Sequence, residues 1–79
     1  MRLDEYLKVT RIIKRRTVAN EACDAGKVEV NGKVARASYD VKVGDKIKIT
    51  FGLNERLYEV LEINEYALKN DTAKMYKIL

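Results

Sequence analysis

Four cationic side chains lie within six consecutive positions near the start of the chain, at Arg11, Lys14, Arg15 and Arg16. Thr17 follows them, with a hydroxyl that can contact a phosphate or cap a helix. Lysine and arginine neutralise phosphates, and arginine can also bind a phosphate through two parallel hydrogen bonds. Beside the free N–H groups of a helix N-terminus, such a run forms a site for a phosphate chain. The run, residues 11–17, therefore predicts a surface that binds a polyanion.

Two short helices are predicted on either side of this basic run. The first spans residues 1–10, because apolar side chains recur three and four positions apart, at Leu3, Tyr6 and Leu7. The second spans residues 18–25, with Thr17 as N-cap and Gly26 just past its end. The basic run then occupies a short connection, at the N-terminus of the second helix.

Small and apolar side chains would hold this region together. In the second helix, one packing face is predicted, formed by Val18, Ala22 and Ala25, with Ala19 and Cys23 beside them. The two isoleucines within the basic run would anchor the connection in the core. Cations held in this way lose less conformational entropy when a partner binds.

The charge distribution also favours a polyanionic partner. The chain has 79 residues and a net charge of +4. Residues 1–17 contain six cations and two anions, residues 18–53 six and five, and residues 54–79 four and five. The excess is therefore concentrated in the first fifth of the chain, as in proteins that bind nucleic acids. A solvated helix face is the alternative interpretation of the same charges.

Five further residues are candidates for this surface or its support. Arg2 precedes the first helix and could fold back towards the basic run. Asp4 is predicted to orient a neighbouring arginine, or else only to complement the helix dipole. Lys27, Asn31 and Lys33 surround a predicted hairpin and would extend the surface if the hairpin tip lies beside the second helix.

After the second helix the apolar period changes to that of strands. Residues 28–30 and 33–35 flank Asn31-Gly32, a strong hairpin signal, and residues 39–43 alternate before a turn at 44–45. The clearest strand is 46–51, with three side chains predicted to face inward, at Ile47, Ile49 and Phe51. Residues 52–55 are a predicted loop, 56–63 a strand, 64–73 a loop or short helix, and 74–79 a final strand. The fold class is therefore α+β, with two helices in a helix-turn-helix-like arrangement on a small twisted antiparallel sheet.

Four tyrosines could stack on nucleic-acid bases, at Tyr39, Tyr58, Tyr66 and Tyr76. Their strand-like positions favour places in or at the edge of the core instead.

The composition disfavours an enzyme. There is no histidine, Cys23 is the only cysteine, and the four glycines are too widely spaced for a nucleotide-binding loop. We therefore expect no catalytic residue, no metal site and no cofactor. Without an apolar run of membrane-spanning length, a secretory signal or a disulfide pair, we expect one cytoplasmic domain over residues 1–79.

Several motifs carry a family resemblance when they are taken in order. They are Arg2-Leu3-Asp4 with Leu7, Arg15-Arg16-Thr17 with Ala19, Gly26-Lys27-Val28 with Val30-Asn31-Gly32, and residues 40–45. Over about residues 1–50 the chain resembles the RNA-binding domain named after the fourth small-subunit ribosomal protein, the alpha-L motif. The resemblance implies an alpha-L core at 1–50 and a β-rich part at 51–79.

Within that family the short chain is similar to stand-alone bacterial factors of ribosome-associated quality control, related to the fifteen-kilodalton heat-shock protein. The resemblance implies a monomer that contacts 23S rRNA and peptidyl-tRNA on obstructed large ribosomal subunits. It would support C-terminal alanine tailing of stalled nascent chains beside the NEMF-family tailing factor RqcH. Two alternatives are a heat-shock-type large-subunit recycling factor and a protein-interaction adaptor that pairs through an exposed sheet edge.

Overall fold

Two helices precede an antiparallel sheet, so the predicted α+β class is confirmed. A computed structural model describes residues 1–66 and 69–79. The elements are α1 (Leu3–Val9), α2 (Arg16–Asp24), β1 (Val28–Val30), β2 (Lys33–Val34), β3 (Lys46–Phe51), β4 (Asn54–Val60), a 3-10 helix (Lys69–Lys74) and β5 (Tyr76–Ile78).

The five strands form one sheet in the order β2-β1-β3-β4-β5. All neighbours are antiparallel, and β3 lies between β1 and β4. The predicted β1–β2 hairpin is confirmed, and its turn residues Asn31 and Gly32 have φ angles of 53° and 85°. Two successive positive φ angles are typical of the turn that matches the twist of a two-residue hairpin.

One face of the sheet packs against the helices. Ile47 and Ile49 are fully buried, as predicted. The prediction for Phe51 was wrong, because 43% of its surface is exposed. Phe51 ends β3 next to the turn and lies at the rim of a groove beside α2. The helices do not cover the sheet that far.

The second helix begins earlier than predicted and buries a different face. Its N-cap is Arg15 and its first residue is Arg16, so the prediction of Thr17 as N-cap was wrong. Ala19 and Cys23, four positions apart on one face, are buried, whereas Val18 is 47% exposed. Ala19 and Cys23 are small, so α1 can pack closely against this face of α2. The β-branched Val18 lies on the outward side.

Other boundaries differ because side-chain alternation does not by itself make a strand. Residues 39–43 form only an isolated bridge, between Arg2 and Asp40. A strand was predicted at 56–63, whereas β4 begins two residues earlier and ends three residues earlier. The predicted segment 64–73 contains the start of the 3-10 helix, and its residues 67–68 lie outside the described residues.

The tyrosines divide between core and surface. Tyr58 is buried and packs edge to face on Tyr76, with ring centroids 5.6 Å apart. Tyr39 is half-buried, and Tyr66 is 86% exposed, so its predicted place near the core was wrong. The Tyr6 hydroxyl donates to the Met75 carbonyl at 2.7 Å and so joins α1 to the segment before β5.

Candidate nucleic-acid interface

The buried carboxylate of Asp4 lies behind two arginines. Arg2 precedes α1, and Arg16 is the first residue of α2. Asp4 is 1% exposed. Its Oδ1 accepts from Arg2 Nε at 3.2 Å, and its Oδ2 accepts from Arg16 Nε at 3.4 Å. Arg2 Nη2 lies 3.4 Å from Oδ2. Asn20 Nδ2 also donates to Oδ2, at 3.2 Å. We call these four residues the Asp4 cluster.

Local structure explains how the Asp4 cluster forms. Arg2 is the extended N-cap residue of α1, and its side chain lies beside the first turn. Asp4 lies in that turn, where its Oδ1 also accepts from the Glu5 N–H at 2.8 Å. On α2, Arg16 and Asn20 are four positions apart and therefore share one face. The packing of α1 against α2 brings that face to Asp4, so the first turns of the two helices lie together.

Both arginines remain half-exposed although their Nε atoms are held. The exposed fractions of the Arg2 and Arg16 side chains are 48% and 49%. Within residues 1–66 and 69–79, no hydrogen bond is formed by the Nη atoms of Arg16. Thr17 is exposed and lines the same shallow depression as Arg16 and Asn20. The outward edge of this cluster can thus hydrogen-bond an external anion.

Asp4 stays ionised because its donors outweigh its burial. Burial alone would raise the pKa of Asp4, but the hydrogen bonds from Arg2, Asn20, the Glu5 N–H and Arg16 lower it below its usual value near 3.8. A charged carboxylate at neutral pH keeps the guanidinium groups oriented.

The other cations of the basic run lie on a neighbouring part of the surface. Arg11, at φ 63°, and Lys14 are exposed and line a depression together with Lys8. Arg15 is exposed at the N-cap of α2. Between them Ile13 is buried, and its N–H donates to the Leu7 carbonyl at 3.1 Å. This depression, which Glu65 also lines, shares no residue with the one at Arg16, and the two are joined along the chain by Arg15. We call the basic run and the Asp4 cluster together the helix end.

The structure separates the three hairpin candidates. Asn31 uses its side chain internally, since Nδ2 donates to Asp45 Oδ1 at 3.0 Å and Oδ1 accepts from the Lys46 N–H at 3.0 Å. Lys27 follows the C-terminal end of α2 and lines the groove near Phe51. Lys33 lies on a different groove, which it shares with Arg36. The expected continuous strip from the hairpin to the start of α2 is not formed by these residues.

Sequence reasoning missed Asn20, Lys8 and Arg36. Asn20 follows Arg16 by four residues, so the helical repeat could have placed both on one face of α2, although it could not have placed that face against Asp4. Arg36 had no such signal, because its position depends on the path of the irregular segment after β2.

Two features are absent from the described part of the chain. No group of three potential metal ligands occurs there. None of its helices has the length and apolar character needed to cross a bilayer.

The sequence matches the model of the S4 domain over residues 1–47. The chain belongs to the S4 domain family. It is 53% identical to the RQC P-site tRNA stabilizing factor of Streptococcus pneumoniae, over all of this chain and 90% of the relative. The factor of the same name from Bacillus subtilis is 47% identical, over all of this chain and 92% of the relative.

A solved structure has the same fold. The trimeric structure of heat shock protein 15 from Vibrio cholerae superposes with a TM-score of 0.90, and its sequence is 28% identical. The match covers all of this chain and 81% of that one. The family resemblance expected from the motifs, including its link to the heat-shock protein, is therefore confirmed.

Proposed function

We propose that this S4-domain chain is an RNA-binding factor of ribosome-associated quality control. In this proposal it binds obstructed large ribosomal subunits, contacts 23S rRNA and peptidyl-tRNA, and supports C-terminal alanine tailing beside RqcH. The names of the two bacterial relatives support the tRNA-related role. The observation that carries the RNA contact is the Asp4 cluster, where one buried carboxylate holds two half-exposed guanidinium groups.

The physical basis is preorganisation. A free arginine loses side-chain entropy when it binds a phosphate, at a cost of about 0.5–1.5 kcal/mol for each immobilised side chain. Arg2 and Arg16 are already restrained through Asp4, so less of that entropy is lost on binding. Their remaining N–H groups can bind phosphates bidentately, while the other cations of the helix end add charge.

In this role the protein stabilises an arrangement of RNA and performs no chemical step. We propose that it acts as a monomer in the cytoplasm without a cofactor. The heat-shock relative was described as a trimer, so the mass of this chain in solution, alone and on the ribosomal particle, is the direct check.

The test is co-sedimentation with large subunits that carry peptidyl-tRNA. Replacing both Arg15 and Arg16 by alanine should abolish association while the fold is kept, because both side chains are exposed. The matched control removes two exposed lysines of the sheet, Lys46 and Lys77, and should still co-sediment. Undiminished association of a folded Arg15→Ala/Arg16→Ala protein would overturn the placement of the interface.

Salt dependence separates RNA binding from the adaptor alternative. If about four to six phosphates are neutralised, the logarithm of affinity should fall against the logarithm of salt with a slope of roughly −3 to −5. Pairing through a sheet edge uses uncharged backbone groups, so its slope would be near zero.

A heat-shock-type recycling factor is the second candidate, favoured by the close superposition on the Vibrio cholerae protein. A reconstituted tailing reaction distinguishes the two. Omission of this chain should reduce alanine addition if the proposal is correct, whereas a recycling factor would leave alanine addition unchanged.

A further inference from the structure

A second concave surface, separate from the depression at Arg16, lies between the β1–β2 hairpin and the segment 35–39. This hairpin groove has a volume of about 610 Å³. Its walls combine apolar, aromatic, hydroxyl and cationic side chains, from Val30, Lys33, Val34, Arg36, Ser38 and Tyr39. The volume lies within the range of small-ligand sites in proteins.

One side-chain bond holds the ring of Tyr39, the aromatic residue of the hairpin groove, and two bonds hold its backbone. The Tyr39 hydroxyl donates to Asp45 Oδ2 at 2.9 Å, and its N–H donates to the Arg36 carbonyl at 3.0 Å. Its carbonyl accepts from the Leu3 N–H at 2.8 Å. Asp45 is itself 8% exposed and is held by Asn31. A ring restrained in this way can stack on a planar group with little further loss of entropy.

The cations of the groove are available to an anion. Lys33 and Arg36 are exposed, and neither forms an ion pair in the part of the chain that the structure describes. Arginine can bind a phosphate through two N–H groups, and lysine adds a mobile positive charge. A fixed aromatic ring beside two cations is the combination that proteins use to bind an unstacked base and its phosphate.

We propose that the hairpin groove binds one unpaired nucleotide, with its base on Tyr39 and its phosphate on Arg36 and Lys33. The inference rests on the proposed RNA-binding function and specifies the RNA more closely. The groove adjoins the Asp4 cluster, because the Asp4 N–H donates to the Ala37 carbonyl at 3.2 Å. The preferred RNA is thus a helical stem with an unpaired nucleotide next to the phosphates held by the helix end.

The experiment compares two RNA hairpins with identical stems, one of which carries a single bulged nucleotide. Fluorescence anisotropy at fixed salt gives the affinity for each. The wild type should bind the bulged hairpin about 5- to 100-fold more tightly, the scale expected for one base stacked on an aromatic ring. Equal affinity for the two RNAs would overturn the proposal.

Three variants test the assigned roles. Tyr39→Leu should remove the preference for the bulge, whereas Tyr39→Phe should keep most of it, because stacking needs the ring and the hydroxyl only restrains it. Arg36→Ala should weaken bulge binding and lower the salt slope by roughly 0.7–0.9, as expected for one phosphate contact. Lys77→Ala, which removes one exposed cation on β5, is the matched control and should retain the preference. Loss of the preference in both Tyr39 variants would assign Tyr39 a structural role only and overturn the stacking.

The outcome also separates this inference from the proposed function. If both RNAs bind equally and the Arg15→Ala/Arg16→Ala variant binds neither, the hairpin groove is wrong and the helix-end interface stands. If the wild type binds neither RNA, both proposals are overturned.

Discussion

The helix end and the outer face of the sheet both carry cations, but they differ in where the carboxylates lie. At the helix end, Asp4 is buried behind Arg2 and Arg16. On the sheet, Lys48 lies between two carboxylates on the same surface. Its Nζ is 3.7 Å from Glu29 Oε2 and 3.4 Å from Glu55 Oε2. A carboxylate behind a cation orients it outward, whereas carboxylates beside a cation neutralise it.

Charge count alone therefore does not locate an RNA-binding surface. Lys46 and Lys77 each lie opposite Glu59 of β4 in the strand register, without an ion pair to it among the described residues. Opposite charges placed in this way contribute little stability, typically 0–1 kcal/mol even where they form an ion pair, but they reduce the local positive potential. The helix end is the surface where positive charge is both concentrated and oriented.

The largest expected effect comes from the core that both surfaces share. Ile49→Ala should reduce the free energy of unfolding by about 2–4 kcal/mol, because Ile49 is fully buried on β3. Thermal melting measures this change. A small domain has a total stability of only about 5 kcal/mol, so RNA binding should weaken with it near physiological temperature. An unchanged melting temperature would mean that the inward face of β3 contributes little packing energy.

Asp4→Asn tests the comparison by the sign of its effect. The substitution raises the net charge from +4 to +5, so simple electrostatics predicts tighter RNA binding. Loss of the charged acceptor releases the side chains of Arg2 and Arg16. If Asp4 positions these arginines for RNA, the RNA affinity should therefore fall about tenfold. RNA titration at fixed salt measures the change.

Glu59→Gln is the matched control for Asp4→Asn, because it makes the same charge change on the sheet. It should leave affinity equal or slightly increase it. Tighter binding by a folded Asp4→Asn protein would show that Asp4 does not position the arginines.

Acid should destabilise the protein through Asp4 and Asp45. Burial alone would raise the pKa of Asp45, but hydrogen bonds from the Lys42 N–H, Asn31 and Tyr39 outweigh it. The pKa of Asp45 is therefore lowered, as is the pKa of Asp4. The unfolded chain therefore binds more protons than the folded chain at acidic pH. Stability should be level above about pH 5 and fall as the pH drops through about 4 towards the lower folded-state pKa values.

Urea unfolding at several pH values between 7 and 3 measures this dependence. Asp4→Asn and Asp45→Asn should each show a smaller loss between pH 5 and 3 than the wild type. An acid loss of the same size in both variants would assign it to other carboxylates.

The smallest effects are expected on the sheet. Lys46→Ala and Lys48→Ala should each change the free energy of unfolding by no more than about 0.5 kcal/mol and leave the RNA affinity unchanged. Melting curves and RNA titrations on the two variants provide the check. A stable Lys48→Ala protein with weaker RNA binding would extend the interface across the sheet.

Elements with strong local signals were predictable. The hairpin at Asn31-Gly32 and the strand around Ile47 and Ile49 were found because turn conformation and side-chain alternation are properties of neighbouring residues. The start of α2 was predicted wrongly. Threonine is a good N-cap residue, but the helix begins at Arg16 without a side-chain cap. Helix boundaries depend on tertiary packing as well as on capping preference.

The amino-acid sequence by itself determined the α+β class, the concentration of positive charge in the first seventeen residues and the resemblance to the RNA-binding family. These follow from composition and from patterns a few residues long. Tertiary structure alone decided that Asn20 joins Asp4, that Asn31 is occupied within the fold, and that Arg36 shares a groove with Tyr39. Each of these contacts joins segments whose separation in space depends on how the helices and sheet pack, and no local pattern encodes that distance.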